Sequence, residues 1–378
     1  MDRSYFSNIL SDLNKKMVFL SGPRQVGKTW LAKEVAKRFN SPLYLNYDSY
    51  EDREVITQKQ WSKNTDLLIL DEIHKMPNWK IFLKGIYDTE ESLKILVTGS
   101  ARLEAFADAG ESLAGRYFKY RLLPLSMGEM KRDDQETLEK LLQRGGFPEA
   151  YLSEDENDVN RWRLLYSEGL IREDILDFEK IHDFKAIKLL FELLRSRVGS
   201  PLSYQSLAED IGISANTVKK YINIFESLFI IFRVTPFSKN IARSLLKEPK
   251  IYFCDTGLVK SDEGAKFENL IALSLYKHQL WIEDTQGIPA KLNYLRTKEQ
   301  KEVDFCLVQH DEITVIIEAK NSSTDISETL KYFHKKYNFP AIQLVKNLRI
   351  ERNINGISLL KASNFLARLE STQPLLEA

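Results

Sequence analysis

The chain has 378 residues with 54 Lys+Arg against 54 Asp+Glu, and this zero formal charge argues against a cationic protein that coats nucleic acid. Hydrophobic residues at 43% and charged residues at 29% suffice for packed cores, and the length predicts roughly two to four domains. Two cysteines, Cys254 and Cys306, exclude a disulfide scaffold and a cysteine zinc site, and no apolar run reaches the ~18 residues of a membrane helix, so a cytoplasmic protein without a membrane partner is expected.

Residues 1–16 read as an amphipathic first helix, not a signal peptide. Up to about residue 125, short apolar runs alternate with charged, helix-periodic stretches, which is the βαβ pattern of a parallel sheet. Strands are predicted at Met17–Ser21, 43–46, Leu67–Asp71 and 95–98. The first runs into Gly22-x4-Gly27-Lys28-Thr29 and then a helix, a phosphate-binding loop in the setting that motif requires. Glycines let successive N–H groups converge on an anion at a helix N-terminus, so Gly22, Pro23, Arg24, Gln25, Val26, Gly27, Lys28, Thr29 and Trp30 form the candidate nucleotide segment. Lys28 is expected to reach the β- and γ-phosphates, and Thr29 to ligate Mg²⁺.

The run LLILDE ends in two acids: Asp71 is the candidate for holding Mg²⁺, and Glu72 for orienting the attacking water as general base. The strand KILVT leads to Thr98 and Ser100, placed to sense the γ-phosphate, although a plain helix cap is the alternative for Ser100. No N-K-x-D guanine signature is present, so ATP is the expected nucleotide.

The blocks SGPRQVGKT, LILDEIHK, VTGSAR, LAGRYFKYRLLPLSMGE and RGGFPEA, in this order, resemble a family of AAA+-related P-loop ATPases of bacteria and archaea. The resemblance implies that Arg116 acts as a phosphate-sensing or finger arginine and that Arg24 contacts nucleotide or a neighbouring subunit, and it leaves a homo-oligomer open. For Arg116, an ion pair with Glu111 or Glu129 stands beside that reading.

From about residue 125 to 198 the texture turns to long helices. Residues 203–234 then have helix-turn-helix spacing, with helices predicted at Tyr204–Ile211 and from Ala215, and two strands after them would complete a winged helix. Lys219 and Lys220 lie on the second helix, where a DNA reader presents cations to the groove. Residues 199–250 carry a net charge of only +3, so DNA contact and a packing role both stay open.

The last third opens with a helix over 267–278 and continues as strands. In EVDFCLVQHDEITVIIEAK, a three-residue loop at His310-Asp311-Glu312 would put Asp304 opposite Glu318, with Lys320 on the same face. Two facing acids call for a cation, so Asp304 and Glu318 are candidate metal ligands, Glu268 a further one, and Lys320 the group that orients or deprotonates water. The pattern resembles the PD-(D/E)XK restriction-endonuclease-like nucleases, with Val303 where a proline often precedes the first aspartate, and resembles the uncharacterised C-terminal domain commonly joined to this ATPase family.

The expectation is therefore an α/β chain with a parallel-sheet P-loop ATPase core (1–125), a helical lid (126–198), a winged helix-turn-helix (199–255) and a nuclease-like α/β domain (256–378). Its expected cofactors are ATP and Mg²⁺, with Mn²⁺ as an alternative ion at the C-terminal acids. Its expected partner is nucleic acid, DNA ahead of RNA. Open beside it are an ATPase with an inactive nuclease fold, and a nucleotide-gated switch that binds DNA or a protein.

Overall fold

The computed structural model describes residues 3–101, 103, 113–170, 183–238, 248–322, 325–371 and 375. Two compact units divide the chain: residues 1–123 with 227–229, and residues 124–226 with 230–378. Among the described residues, no helix is long and apolar enough to cross a membrane.

In the first unit, β1 (Met17–Ser21), β2 (Pro42–Asn46), β3 (Leu67–Asp71), β4 (Lys94–Thr98) and β5 (Tyr117–Arg121) form a parallel sheet ordered β2-β3-β4-β1-β5. Every residue of β1 and β3 is buried, as continuous apolar runs covered on both faces should be. Around the sheet run α1 (Phe6–Asp12), α2 (Lys28–Ala36), α3 (Tyr50–Gln58) and α4 (Trp79–Thr89); Ile56, Leu83 and Ile86 pack with Phe19, Leu68, Leu70 and Val97. The edge strand β5 has no counterpart among the predicted strands, because in YFKYR only Tyr120 is buried and the apolar run that marks its neighbours is missing. Since β4 lies between β1 and β3, its carboxyl end falls between the phosphate loop and the acids of β3.

The second unit begins with α5 (Met127–Met130), α6 (Gln135–Arg144), α7 (Pro148–Leu152), α8 (Glu156–Gly169) and α9 (Phe184–Ser196). Next come α10 (Tyr204–Ile211) and α11 (Ala215–Ser227), separated by a turn in which Gly212 takes a left-handed φ of 79°. Ser203 and Ser214 cap the two helices by accepting from Ser206 N–H and Thr217 N–H, and Lys219 and Lys220 are exposed. Lys239, Arg243 and Lys247, which contribute to the segment's positive charge, lie outside the described residues.

The strands that follow depart from a free wing. β6 (Ile231–Pro236) pairs antiparallel with β7 (Lys250–Phe253), and through Thr235 and Pro236 it also pairs parallel with β8 (Ala290–Arg296). With β9 (Glu302–Gln309), β10 (Glu312–Lys320), β11 (Ala341–Val345), β12 (Arg352–Ile354) and β13 (Ile357–Lys361) they make an 8-stranded sheet ordered β12-β13-β11-β10-β9-β8-β6-β7. A lone two-stranded ribbon is marginally stable, and joining β8 gives β6 a second paired edge. Against this sheet pack α12 (Glu263–Gln286) and α13 (Glu328–Tyr337).

Asp255 shows how tightly this unit is closed. It is 1% exposed, its Oδ1 accepts from Gly146 N–H at 2.7 Å, and a Cβ on Gly145 would stand 2.3 Å from that oxygen. Burial pushes its carboxyl up to about 6. The folded state therefore holds a proton that the unfolded state has already released, so this group's contribution to stability falls as pH rises through that window. Asp255→Asn is expected to gain on the native chain by up to about 3 kcal/mol between about pH 4 and pH 7, read from urea unfolding at each pH. A pH-independent difference would refute the assignment.

Candidate functional site

The phosphate loop is built on backbone that only glycine tolerates. A Cβ on Gly22 would stand 2.2 Å from Leu122 O, and Gly27 has φ 99°, which sets the first turn of α2. Lys28, 8% exposed, starts that helix and donates to Gly22 O at 3.0 Å and Pro23 O at 2.7 Å. Arg3, a residue with no sequence signal, is buried under the loop, donating to Val26 O at 3.4 Å and to Leu123 O at 2.5 Å. Val26 is buried, Arg24 is half-buried and Gln25 exposed, and Trp30 is 45% exposed on α2.

Asp71 gathers the neighbouring strands. Its Oδ2 accepts from Thr29 Oγ1 at 3.1 Å and Tyr44 O–H at 2.6 Å, and its Oδ1 from Thr98 Oγ1 at 2.6 Å. Burial and the adjacent carboxylate push the Tyr44 phenol well above its ordinary value, so it remains a donor to Asp71. Thr98, fully buried, orients Asp71 instead of facing a phosphate. Thr29 and Asp71, the two oxygen donors expected for Mg²⁺, are within hydrogen-bond distance of each other, so the residues present fit that ion.

Glu72 sits in the left-handed region at φ 56°, with its N–H held by Thr98 O at 2.9 Å. Its carboxylate accepts from Ser100 N–H at 3.1 Å and lies 3.5 Å from both His74 Nε2 and Lys75 Nζ. Ser100 thus acts through its backbone, as a support for Glu72.

The structure does not bring Arg116 to this constellation. β5 runs parallel to β1 with Tyr117 opposite Met17, so Arg116 stands at the amino ends of the strands. The loop follows Ser21 at the other end, about 17 Å away at ~3.3 Å per residue. The Arg116 guanidinium forks onto Asp88 at 2.9 and 3.1 Å, and this bond lowers the Asp88 carboxyl. Among the described residues the partner of Arg116 is thus Asp88, and Glu111 lies outside them.

A second cluster lies in the C-terminal sheet. The β9–β10 hairpin turns on two residues, His310 and Asp311, with φ 51° and 61°, not on three. A bulge between Ile313 and Val315 adds the missing residue, so Ile317 faces Phe305 and the register beyond places Glu318 opposite Asp304. Asp304 Oδ2 accepts from Ala319 N–H at 2.9 Å. Glu318 is 5% exposed and pairs through Oε1 with Lys320 Nζ at 2.8 Å, while its Oε2 is buried with no hydrogen-bond partner. Burial, and then repulsion from Asp304, hold Glu318 and Glu268 above the usual carboxylate range, and burial raises Asp304 too.

Glu268, expected as a further metal ligand, carries partners of its own. Tyr252 O–H donates to its Oε1 at 2.6 Å, and Lys250 Nζ lies 3.5 Å away and 2.8 Å from Glu302. Among the described residues no three His, Cys, Asp or Glu side chains are arranged to hold one metal ion. Mg²⁺ typically asks for less than such a cage, one or two carboxylates with waters and substrate phosphates. Asp304 and Glu318 fit this looser demand. Lys250 and Tyr252 escaped sequence reading, because KIYF looks like any buried strand until its neighbours are known.

Three domain families match consecutive parts of the chain: an AAA domain over residues 14–131, the domain of unknown function DUF8612 over 135–266, and the domain of unknown function DUF4143 over 263–365. An uncharacterized protein of Methanocaldococcus jannaschii is 25% identical over 380 residues, covering 90% of this chain and 81% of its own. One of Mycobacterium tuberculosis is 25% identical over 300 residues, covering 76% and 67%, and one of Haemophilus influenzae is 22% identical over 388 residues, covering 92% and 93%. With its phosphate loop, paired acids and parallel sheet, the first unit is an AAA-like P-loop ATPase domain, and the chain joins it to a C-terminal DUF4143 domain.

Proposed function

We propose that this chain is a Mg²⁺-dependent ATPase whose C-terminal half acts on nucleic acid, DNA ahead of RNA, in the cytoplasm. The observation that carries the ATPase reading is the convergence of Lys28, Thr29, Asp71 and Glu72 at the carboxyl ends of β1 and β3. Lys28, at the head of α2, would meet the β- and γ-phosphates, and Thr29 and Asp71 would hold Mg²⁺, which supplies charge neutralisation when bound. Glu72, fixed by Ser100 N–H, orients the water in line with the γ-phosphorus and accepts its proton. Lys28→Ala is expected to lower phosphate release at least about 100-fold, since the ammonium counters charge on the transferring group. Turnover within tenfold of native would overturn the assignment.

A second reading, metal-dependent phosphodiester cleavage, is favoured by Glu318, which stands opposite Asp304 in the strand register, pairs with Lys320 and has its Oε2 buried without a hydrogen-bond partner. Asp304 and Glu318 would hold Mg²⁺ or Mn²⁺, which supplies Lewis acidity, while Lys320 orients the attacking water. Exposed Lys219 and Lys220 on α11 support a polyanionic partner. With Mn²⁺, the purified chain is expected to cut single- or double-stranded DNA, and Asp304→Asn to remove cutting with ATP turnover within twofold of native. Cutting that persists in Asp304→Asn would place the activity elsewhere. Absence of cutting with DNA and RNA alike, with ATP still hydrolysed, would leave an ATPase or nucleotide-gated switch with an inactive nuclease-like domain.

A further inference from the structure

The acid pocket draws on two of the matched domain regions. Asp304 and Glu318 come from strands β9 and β10 and Glu268 from α12, all within residues 263–365, whereas Lys250 and Tyr252 come from β7, within residues 135–266. Lys250 is 2% exposed, 2.8 Å from Glu302 and 3.5 Å from Glu268, and its ammonium stands 5.5 Å over the Tyr294 ring. Tyr252 is fully buried, and its hydroxyl is committed to Glu268 Oε1 at 2.6 Å. Gly199 backs the same carboxylate so closely that a Cβ there would stand 2.9 Å from Oε1. Glu268 is therefore held by a cation and a hydroxyl, with the backbone of Gly199 close behind it. Glu318 Oε2 remains buried without a hydrogen-bond partner.

We propose that Lys250 and Tyr252 complete this site by retaining Glu268, so that the pocket takes a single divalent cation between Asp304 and Glu318 and Lys250 stands as a built-in second positive charge. A buried carboxylate needs a compensating charge, and an ammonium within ion-pair distance of both Glu268 and Glu302 meets that need for these two acids. A second metal ion at Glu268 would have to displace it. Lys250 is a positioning residue in this scheme: it acts by withholding Glu268 from the metal. The inference rests on the metal-site reading given above.

The test counts Mn²⁺ bound to the full-length chain by electron paramagnetic resonance, without nucleotide and with Asp71→Asn present throughout to silence the ATPase site. One ion per chain is expected, lost on adding Asp304→Asn. Lys250→Met frees Glu268 and Glu302 and is expected to raise the count to two; Lys250→Arg keeps the charge and keeps one. Glu268→Gln together with Lys250→Met is expected to return the count to one. If that pair binds no ion, Glu268 is a ligand and the inference fails; it fails equally if Lys250→Met leaves the count at one. Should Lys250→Met not fold, Glu268→Gln alone decides, since one retained ion supports the scheme and none overturns it. No Mn²⁺ bound even with Lys250 and Asp304 intact would instead sink the metal-site reading itself, and the inference with it.

Discussion

Glu72→Gln is expected to slow ATP hydrolysis by about 10²–10⁴-fold while ATP affinity stays within a few-fold, the usual worth of a positioned general base. The glutamine keeps the shape and can still accept from Ser100 N–H, but it neither attracts a proton nor polarises water. The backbone argues the same way. A non-glycine residue at φ 56° costs on the order of 1 kcal/mol, and Glu72 is kept there by its own N–H to Thr98 O. That geometry holds the carboxylate against Ser100 N–H, beside His74 and Lys75. Phosphate release and fluorescent-nucleotide binding, measured side by side, check the prediction. Turnover reduced less than tenfold would mean that another group orients the water, and His74, buried 3.5 Å from the carboxylate, would be the first candidate.

Lys277→Ala is expected to destabilise the second unit by about 3–5 kcal/mol, because it leaves buried carboxylates uncompensated. Lys277 is 1% exposed, with its ammonium 2.5 Å from Glu129 and 3.6 Å from Glu370, and it also donates to Pro124 O and Ser126 Oγ. It joins the start of the unit to α12 and to the last described turns. Chemical unfolding of the variant gives the loss directly. Replacing Glu129 and Glu370 by leucine and Lys277 by methionine should recover most of it, since a packed apolar trio of similar size carries no desolvation penalty. A loss below about 1 kcal/mol for the single change would mean that solvent reaches the cluster.

The candidate ATPase site was legible for a local reason. Gly22 and Gly27 are demanded by backbone geometry within a few residues of Lys28 and Thr29, and LLILDE couples a buried strand to its acids in one continuous run. The facing of Asp304 and Glu318 was legible although the loop was not. A two-residue turn followed by a bulge shifts the register by the same amount as a three-residue loop, and alternation along each strand does the rest.

By itself, the sequence determined the elements whose signals are local: the buried strands, the phosphate loop, the paired acids of β3 and the alternating strands of the C-terminal hairpin. Tertiary structure alone decided the partners. Arg116 turns to Asp88, 28 positions away, Arg3 supports a carbonyl 120 positions on, Lys277 finds Glu129 at a separation of 148, and Lys250 joins an acid pocket instead of a wing. Periodicity reports which face of an element is buried, but many arrangements bury the same face. Which distant charges meet follows from the packing of whole sheets, where an unpaired buried ion costs several kcal/mol and the arrangement that pairs each one prevails.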